Sequence, residues 1–218
     1  MHRLPDKLKQ TILSRGITEL RPAQAKAVEA GLHEGKNLLI CTPTASGKTL
    51  SAEIAMLSAI HAGKGRCVYV VPLKALASEK FRQFRQGWPD IRVGISTGDL
   101  DKEDHYLANY DIVICTAEKL DSLIRHKSPV ATGLAVAVID EIHLMEDAGR
   151  GPVLEMVITL LRIINPGLQI VGLSATIGNP KELAAWLQAE LIEDSWRPVE
   201  LRKGVWLDGY LAFEGKRG

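Results

Sequence analysis

A loop of small and turn-forming residues separates an apolar run from a helical pattern, and Lys48 follows it directly. Backbone N–H groups at the start of a helix can hold an anion, and a lysine beside them adds a positive charge. The pattern G-x-x-x-x-G-K-[ST] fits this stretch, except that Thr42 stands where the pattern has its first glycine. An ordinary strand-to-helix connection is the alternative. We predict a phosphate-binding loop made by Thr42, Pro43, Thr44, Ala45, Ser46, Gly47, Lys48 and Thr49.

Each part of such a loop has its own chemical task. We expect the backbone amides of residues 45–49 to hold the β-phosphate, and Lys48 to reach the β- and γ-phosphate oxygens. The hydroxyl group of Thr49 is expected to ligate magnesium. The loop therefore predicts a nucleoside triphosphate and Mg²⁺ as ligands.

A magnesium ion bound to phosphates also needs a carboxylate from the end of a neighbouring buried strand. The dipeptide Asp140-Glu141 occurs once, directly after the apolar run 135–139, and His143 follows. We expect Asp140 to hold the metal, directly or through water, and Glu141 to orient and deprotonate the water that attacks the γ-phosphate. The alternative is an acidic turn at a strand end beside a surface histidine.

Short apolar runs rich in β-branched residues alternate with helical patterns along the chain. The runs contain few polar residues, which indicates strands covered on both faces. We predict an α/β fold with a mainly parallel sheet and helices on both faces. The predicted strands are 37–41, 67–71, 92–96, 111–115, 135–139 and 169–173, and the predicted helices are 22–34, 48–62, 73–85, 117–124, 152–164 and 180–187.

Composition and charge limit the classes of protein and the cellular locations that fit this sequence. The 218 residues are 46% hydrophobic, enough for one substantial core, and the formal net charge of +1 excludes a protein that is basic overall. The cysteines lie at the ends of apolar runs without CxxC spacing, which predicts buried thiols in a reducing cytoplasm. No segment has the composition of a signal peptide or a membrane span, so no membrane partner is expected.

The pattern changes after Asp194. The apolar groups 205–207 and 210–213 flank Asp208-Gly209, a pair that is typical of two-residue hairpin turns. We predict one domain over residues 1–194 and a β-ribbon or linker over residues 195–218.

Several short segments resemble superfamily 2 helicases of the Ski2-like branch, and most of all its archaeal repair helicases of the Hjm type. They occur in the same order as in that branch and cover nearly the whole chain. The segments are LRPAQ (20–24), TPTASGKT (42–49), VPLKALASEK (71–80), STGD (96–99), TAEKLD (116–121), DEIH (140–143), GRGPVLE (149–155) and SAT (174–176).

The resemblance implies a RecA-like P-loop NTPase domain, the first of two, and adds site residues. It implies that Gln24 reads the adenine edge, which favours ATP, although Gln24 could instead cap its helix or face solvent. Ser174, Ala175 and Thr176 would couple the nucleotide state to the grip on the strand, with His143 as a polar link. The residues implied to bind nucleic acid are Pro72, Leu73, Lys74, Ala75, Thr97, Gly98, Asp99, Thr116, Glu118 and Lys119.

The activity that this resemblance implies is that of an ATP-dependent 3′ to 5′ DNA helicase in repair and replication-fork processing, acting on single-stranded or forked DNA. An RNA helicase and a nucleotide-gated binding module without unwinding are the alternatives. A P-loop kinase or small GTPase fits less well, because the DEIH and SAT segments have no role there.

The family's second RecA-like domain supplies arginine fingers, and no segment of these 218 residues matches it. We therefore expect weak nucleotide binding and negligible unwinding from this chain alone. Lys80, Arg82 and Arg85 are interpreted as a solvated helix face. Arg150 matches a family segment, and the sequence assigns it no physical role.

Overall fold

The computed structural model describes residues 1–98, 104–175, 177–199 and 204–213. The predicted site residues Asp99 and Thr176 lie outside these ranges. Within them, parallel strands form one sheet: β1 (Leu38–Cys41), β2 (Arg66–Val71), β3 (Val93–Ser96), β4 (Ile112–Thr116), β5 (Leu134–Ile139), β6 (Gln169–Ser174) and β7 (Glu190–Glu193). The helices are α1 (Asp6–Leu13), α2 (Pro22–Glu29), α3 (Lys48–His61), α4 (Lys74–Gly87), α5 (Ala117–Arg125), α6 (Gly151–Ile164) and α7 (Pro180–Trp186).

Helices cover both faces of the sheet, as the apolar runs predicted. Alternate residues of each strand point to opposite faces, so Ile40 and Tyr69 pack in the core with α1 to α4. Leu39 and Val70 pack in a second core with α5 to α7. The α/β fold with a parallel sheet and helices on both faces is thus confirmed.

The strand β7 and the helix α1 were not predicted, and helix α2 is clearly shorter than predicted. The edge strand β7 pairs with β1 alone and is half polar, so it lacks the continuous apolar pattern of the inner strands. Helix α2 ends before Gly31, whose φ of 97° breaks the helical geometry, and a 3₁₀ turn over Leu32–Glu34 follows. In the described part of the chain, no helix has the length and apolar character needed to cross a membrane.

The order of the strands divides the functional edge of the sheet into two halves. The order is β3-β4-β2-β5-β6-β1-β7, and parallel strands place their carboxyl ends at one edge. The predicted phosphate loop follows β1, the predicted acidic pair follows β5, and the predicted coupling residues lie at the end of β6, which is between these two strands. The residues predicted to bind nucleic acid follow β2, β3 and β4, which form the adjacent half.

A two-stranded hairpin follows the sheet. Strands β8 (Gly204–Leu207) and β9 (Tyr210–Phe213) are antiparallel, and Asp208 and Gly209 form the turn with φ of 48° and 86°. Two positive φ values are typical of the type I′ turn, so the hairpin signal is confirmed. The division of the chain at Asp194 stays a prediction.

The three cysteines are buried free thiols, as predicted. Burial raises the pKa of Cys41 to about 11 and that of Cys115 to about 12. The same cause raises the pKa of Cys67. These thiols therefore pack as small apolar side chains and stay protonated near neutral pH.

Candidate nucleotide site and nucleic-acid groove

The loop between β1 and α3 presents unused backbone donors. Gly47 has a φ of 93°, which residues with a side chain rarely adopt, and a Cβ atom there would also lie 2.5 Å from Gln24 Nε2, so the position favours glycine. Within the described chain, the N–H groups of Ala45, Gly47, Lys48 and Thr49 donate to no protein acceptor. They lie at the N-terminus of a 14-residue helix, where the helix dipole also favours negative charge. This loop therefore fits a phosphate group.

Lys48 lies across the loop and within electrostatic reach of the acidic pair. Its Nζ donates to the carbonyl oxygens of Thr42 at 2.8 Å and Pro43 at 3.2 Å. Burial lowers the pKa of Lys48, and the charges of Glu141 and Asp140 act in the opposite direction. Lys48 follows β1, and both carboxylates follow β5. The structure thus brings groups from two different strands into one site.

The two predicted metal ligands share a neighbour, Tyr69. The Tyr69 hydroxyl donates to Asp140 Oδ2 at 2.8 Å and lies close to the Thr49 side chain. The backbone N–H of Glu141 donates to Asp140 Oδ1 at 3.1 Å. Hydroxyl and carboxylate oxygens are the ligand atoms that magnesium prefers, so this arrangement fits the predicted ion.

Glu141 begins a short polar chain towards β6. Its backbone lies in the left-handed region, with φ 51° and ψ 46°, which costs energy for a residue with a side chain. His143 Nδ1 lies 3.3 Å from Glu141 Oε2 and 3.4 Å from Ser174 Oγ. The predicted polar link between His143 and Ser174 is therefore present, and it extends to Glu141, which was not predicted. Ala175 follows directly at the end of β6.

Gln24 caps its own helix and supports the loop. Its Oε1 accepts from Arg21 N and its Nε2 donates to Gly47 O, both at 2.9 Å. Arg21 Nη1 donates to Ala45 O at 2.7 Å. These contacts agree with the capping alternative, and the adenine-reading role of Gln24 stays a prediction. Sequence reasoning missed Arg21, which gives no pattern of its own.

A groove of about 440 Å³ lies on the other half of the same sheet edge. Most of the residues predicted to bind nucleic acid line it, although Ala75 does not. Ser122 and Arg150 line it as well, which the sequence did not predict. The lining residues are Pro72, Leu73, Lys74, Thr97, Gly98, Thr116, Glu118, Lys119, Ser122 and Arg150.

Charge and helix geometry make this groove favourable for phosphate groups. Three of its lining side chains are cationic and one is a carboxylate. Helices α4 and α5 both begin at the groove, so their positive N-terminal ends add to the field. The Thr116 hydroxyl caps α5 by accepting from Lys119 N at 3.3 Å, whereas Lys74 is exposed.

Arg150 lies between the two halves of the site. It lines the groove and also a cavity of about 20 Å³ that Asp140 and Glu141 line. Asp147 Oδ1 accepts from the N–H groups of Gly149 and Arg150 at 2.9 Å, and these bonds lower the pKa of Asp147. The Gly-Arg-Gly sequence was the only signal that pointed to Arg150.

Gly151 lies directly after this turn, where the backbone packs closely against Met145, and its substitution tests how much this packing stabilises the fold. An added Cβ would lie 2.2 Å from the backbone oxygen of Met145, an atom that cannot rotate away. We expect Gly151→Ala to lower the free energy of unfolding by roughly 2 kcal/mol or more. Urea denaturation followed by circular dichroism measures this effect. Gly149→Ala is the control, since its Cβ would meet its nearest atom at 3.4 Å, and an equal destabilisation of both variants would contradict the explanation.

The prediction that Lys80 lies on a solvated face of α4 is wrong. Its Nζ donates to Thr49 Oγ1 at 2.9 Å, so the side chain points into the nucleotide site. Arg82 and Arg85, in contrast, are exposed as predicted. The error arises because helical spacing does not show how far a long side chain reaches.

Comparison with known proteins agrees with this architecture. The family model for DEAD/DEAH box helicases matches residues 21–183. The chain is 50% identical over 214 residues to an ATP-dependent DNA helicase Hel308 of Pyrococcus horikoshii, covering 97% of this chain and 29% of that protein. A Hel308 helicase of Methanocella arvoryzae is 49% identical over 220 residues, covering 98% and 30%.

Solved structures show the same fold. The DUF1998 helicase MrfA bound to DNA and AMPPNP superposes with a TM-score of 0.76 at 28% identity, covering 89% of this chain and 30% of that chain. The Mycobacterium smegmatis helicase Lhr bound to ssDNA and AMP-PNP gives 0.75 at 28% identity, covering 87% and 27%. The chain thus spans about a third or less of each relative. The family match over most of its length shows that the chain belongs to the DEAD/DEAH box helicases.

Proposed function

We propose that this chain is the ATP-binding motor domain of an ATP-dependent DNA helicase that moves 3′ to 5′ and acts in DNA repair and replication-fork processing. The observation that supports it most is the convergence of Lys48 and the Asp140-Glu141 pair at one end of a sheet edge that also carries a cationic groove. The names of the Hel308 relatives support the same substrate and the use of ATP.

In this proposal the phosphates lie on the N–H groups at the start of α3, and Lys48 moves from the loop carbonyls to the phosphate oxygens. Thr49 and Asp140 would hold Mg²⁺, which neutralises phosphate charge when bound. Glu141 accepts the proton of the attacking water, and His143 keeps the Glu141 carboxylate in place at 3.3 Å. Gln24 would read the adenine edge after exchanging its present partners.

The groove would hold the backbone of single-stranded or forked DNA. Hydroxyl groups, lysines and helix N-termini bind phosphates without reading bases, so binding is independent of sequence. We propose that Ser174 and Ala175, with Thr176 after them, pass the nucleotide state to this groove through His143. Ser174 ends β6, which lies beside both β1 and β5.

The relatives are much longer than this chain, which supports an interaction with a further domain of the full-length protein. We propose that a second RecA-like domain of the full-length protein completes the ATP site with arginine side chains. Such arginines contribute roughly a thousandfold or more in rate. The buried free thiols agree with a cytoplasmic location.

Binding of single-stranded DNA tests the groove. We expect Lys74→Ala and Arg150→Ala each to weaken binding of a fluorescent oligo-dT by about five- to tenfold, because each removes a charged group that binds phosphate. The slope of log affinity against log salt should fall by about 0.7 for each phosphate that the protein no longer neutralises. Fluorescence anisotropy at several salt concentrations measures both quantities.

Arg82→Ala is the matched control, since it removes an exposed charge of α4 outside the groove. An equal effect of all three substitutions would contradict a specific groove. Clearly tighter binding of oligo-U than of oligo-dT would instead indicate an RNA helicase.

A further inference from the structure

We propose that Tyr69 is a positioning residue for magnesium: its hydroxyl orients Asp140 beside Thr49, whose hydroxyl group Lys80 orients in turn. This inference rests on the proposed function, because it concerns the ion that accompanies the nucleotide. Neither Tyr69 nor Lys80 belongs to the residues that the sequence predicted for the nucleotide site.

A continuous chain of side chains connects the four residues. Lys80 Nζ donates to Thr49 Oγ1 at 2.9 Å, and the Thr49 side chain lies close to the Tyr69 hydroxyl. The Tyr69 hydroxyl donates to Asp140 Oδ2 at 2.8 Å. The chain joins α4, α3, β2 and the end of β5, so it ties together the elements that supply the two metal ligands.

The two ends of the chain impose one direction on it. An ammonium group can only donate, and a carboxylate can only accept. Thr49 Oγ1 therefore accepts from Lys80, which leaves the Thr49 proton free to point towards Tyr69, and Tyr69 donates to Asp140. Thr49 Oγ1 has two lone pairs, and Lys80 uses one of them. The second lone pair is left for a metal ion, which is the orientation that ligation requires.

Tyr69 is held rigidly enough to serve this purpose. Its side chain is fully buried, and its ring meets that of Phe84 edge to face at 5.2 Å.

The charge of Lys80 is balanced inside the domain. Glu53 is buried on α3 and interacts electrostatically with Lys80, and it pairs with Arg15 at 2.6 Å. Lys80 Nζ also lies 5.8 Å from the centre of the Tyr69 ring. These neighbours explain how an ammonium group can stay beside Thr49, close to the Lys48 ammonium.

The test is the substitution Tyr69→Phe, which keeps the ring and removes only the hydroxyl. We expect the Mg²⁺ concentration that half-saturates the tightening of fluorescent ADP binding to rise by about tenfold, as for other residues that orient metal ligands. Affinity for the same nucleotide in EDTA should stay as in the wild type. Tyr110→Phe is the control, because Tyr110 lies before β4, away from this chain of side chains.

Each outcome decides the proposal. An unchanged Mg²⁺ dependence in Tyr69→Phe would overturn it, and so would an equal weakening of binding with and without Mg²⁺ or a failure to fold, because Tyr69 would then be only structural. If the wild-type chain shows no Mg²⁺-dependent nucleotide binding, the proposed function itself fails. The two failures are therefore distinguishable.

Discussion

Replacing Lys48 by alanine is expected to weaken binding of Mg·ATP by about a hundredfold or more, since a partly buried charged contact to phosphate is worth roughly 3 kcal/mol. The loop offers N–H donors but no second cation in the same position, so nothing in the loop replaces the missing ammonium. Isothermal titration calorimetry of the wild-type and variant chains measures the difference.

Lys74→Ala provides the matched control for this substitution. It also removes one lysine from the same sheet edge, but in the groove half, and it should leave ATP affinity unchanged while weakening DNA binding. Lys48→Ala should show the reverse pattern. Wild-type ATP affinity in Lys48→Ala would mean that the loop between β1 and α3 does not bind the phosphates.

Glu141→Gln is expected to leave ATP affinity near the wild-type value and to slow hydrolysis on the order of a thousandfold, the size expected when a general base is removed. The amide has nearly the same shape and can keep the 3.3 Å contact with His143 Nδ1, so the protein should bind nucleotide normally. Single-turnover hydrolysis with protein in excess over ATP and saturating single-stranded DNA detects such slow rates.

The control for Glu141→Gln is Glu146→Gln. Glu146 is an exposed carboxylate at the end of the 3₁₀ turn Ile142–Glu146, which directly follows Glu141, so its substitution removes equal charge without touching the proposed base. We expect wild-type hydrolysis in this variant. A normal rate in Glu141→Gln would contradict the assignment of Glu141 as the base.

Those parts of the site that depend on local sequence were predictable. A glycine followed by a lysine at a helix start identifies the phosphate loop, because backbone geometry and charge come from adjacent residues. The convergence of Lys48 and Asp140 was also predictable, since parallel strands place their carboxyl ends together. The position of the groove was predictable from the same rule, because its residues follow β2, β3 and β4.

Those parts that depend on side-chain reach were not predictable. Tyr69 lies in the apolar strand β2, where its residue type indicates only core packing. Lys80 has the spacing of a solvent-facing residue on α4, yet its long side chain extends to Thr49. Arg150 follows a turn whose geometry depends on Asp147, and strand β7 has too few apolar residues to reveal its pairing.

The most direct test of the account is a crystal structure of this chain with Mn²⁺ and a non-hydrolysable ATP analogue, with the metal located by anomalous scattering. We expect one manganese ion about 2.1 to 2.2 Å from Thr49 Oγ1, with Asp140 bound directly or through one water and Lys48 on the phosphates. A triphosphate bound elsewhere, or a metal with neither Thr49 nor Asp140 around it, would contradict the account.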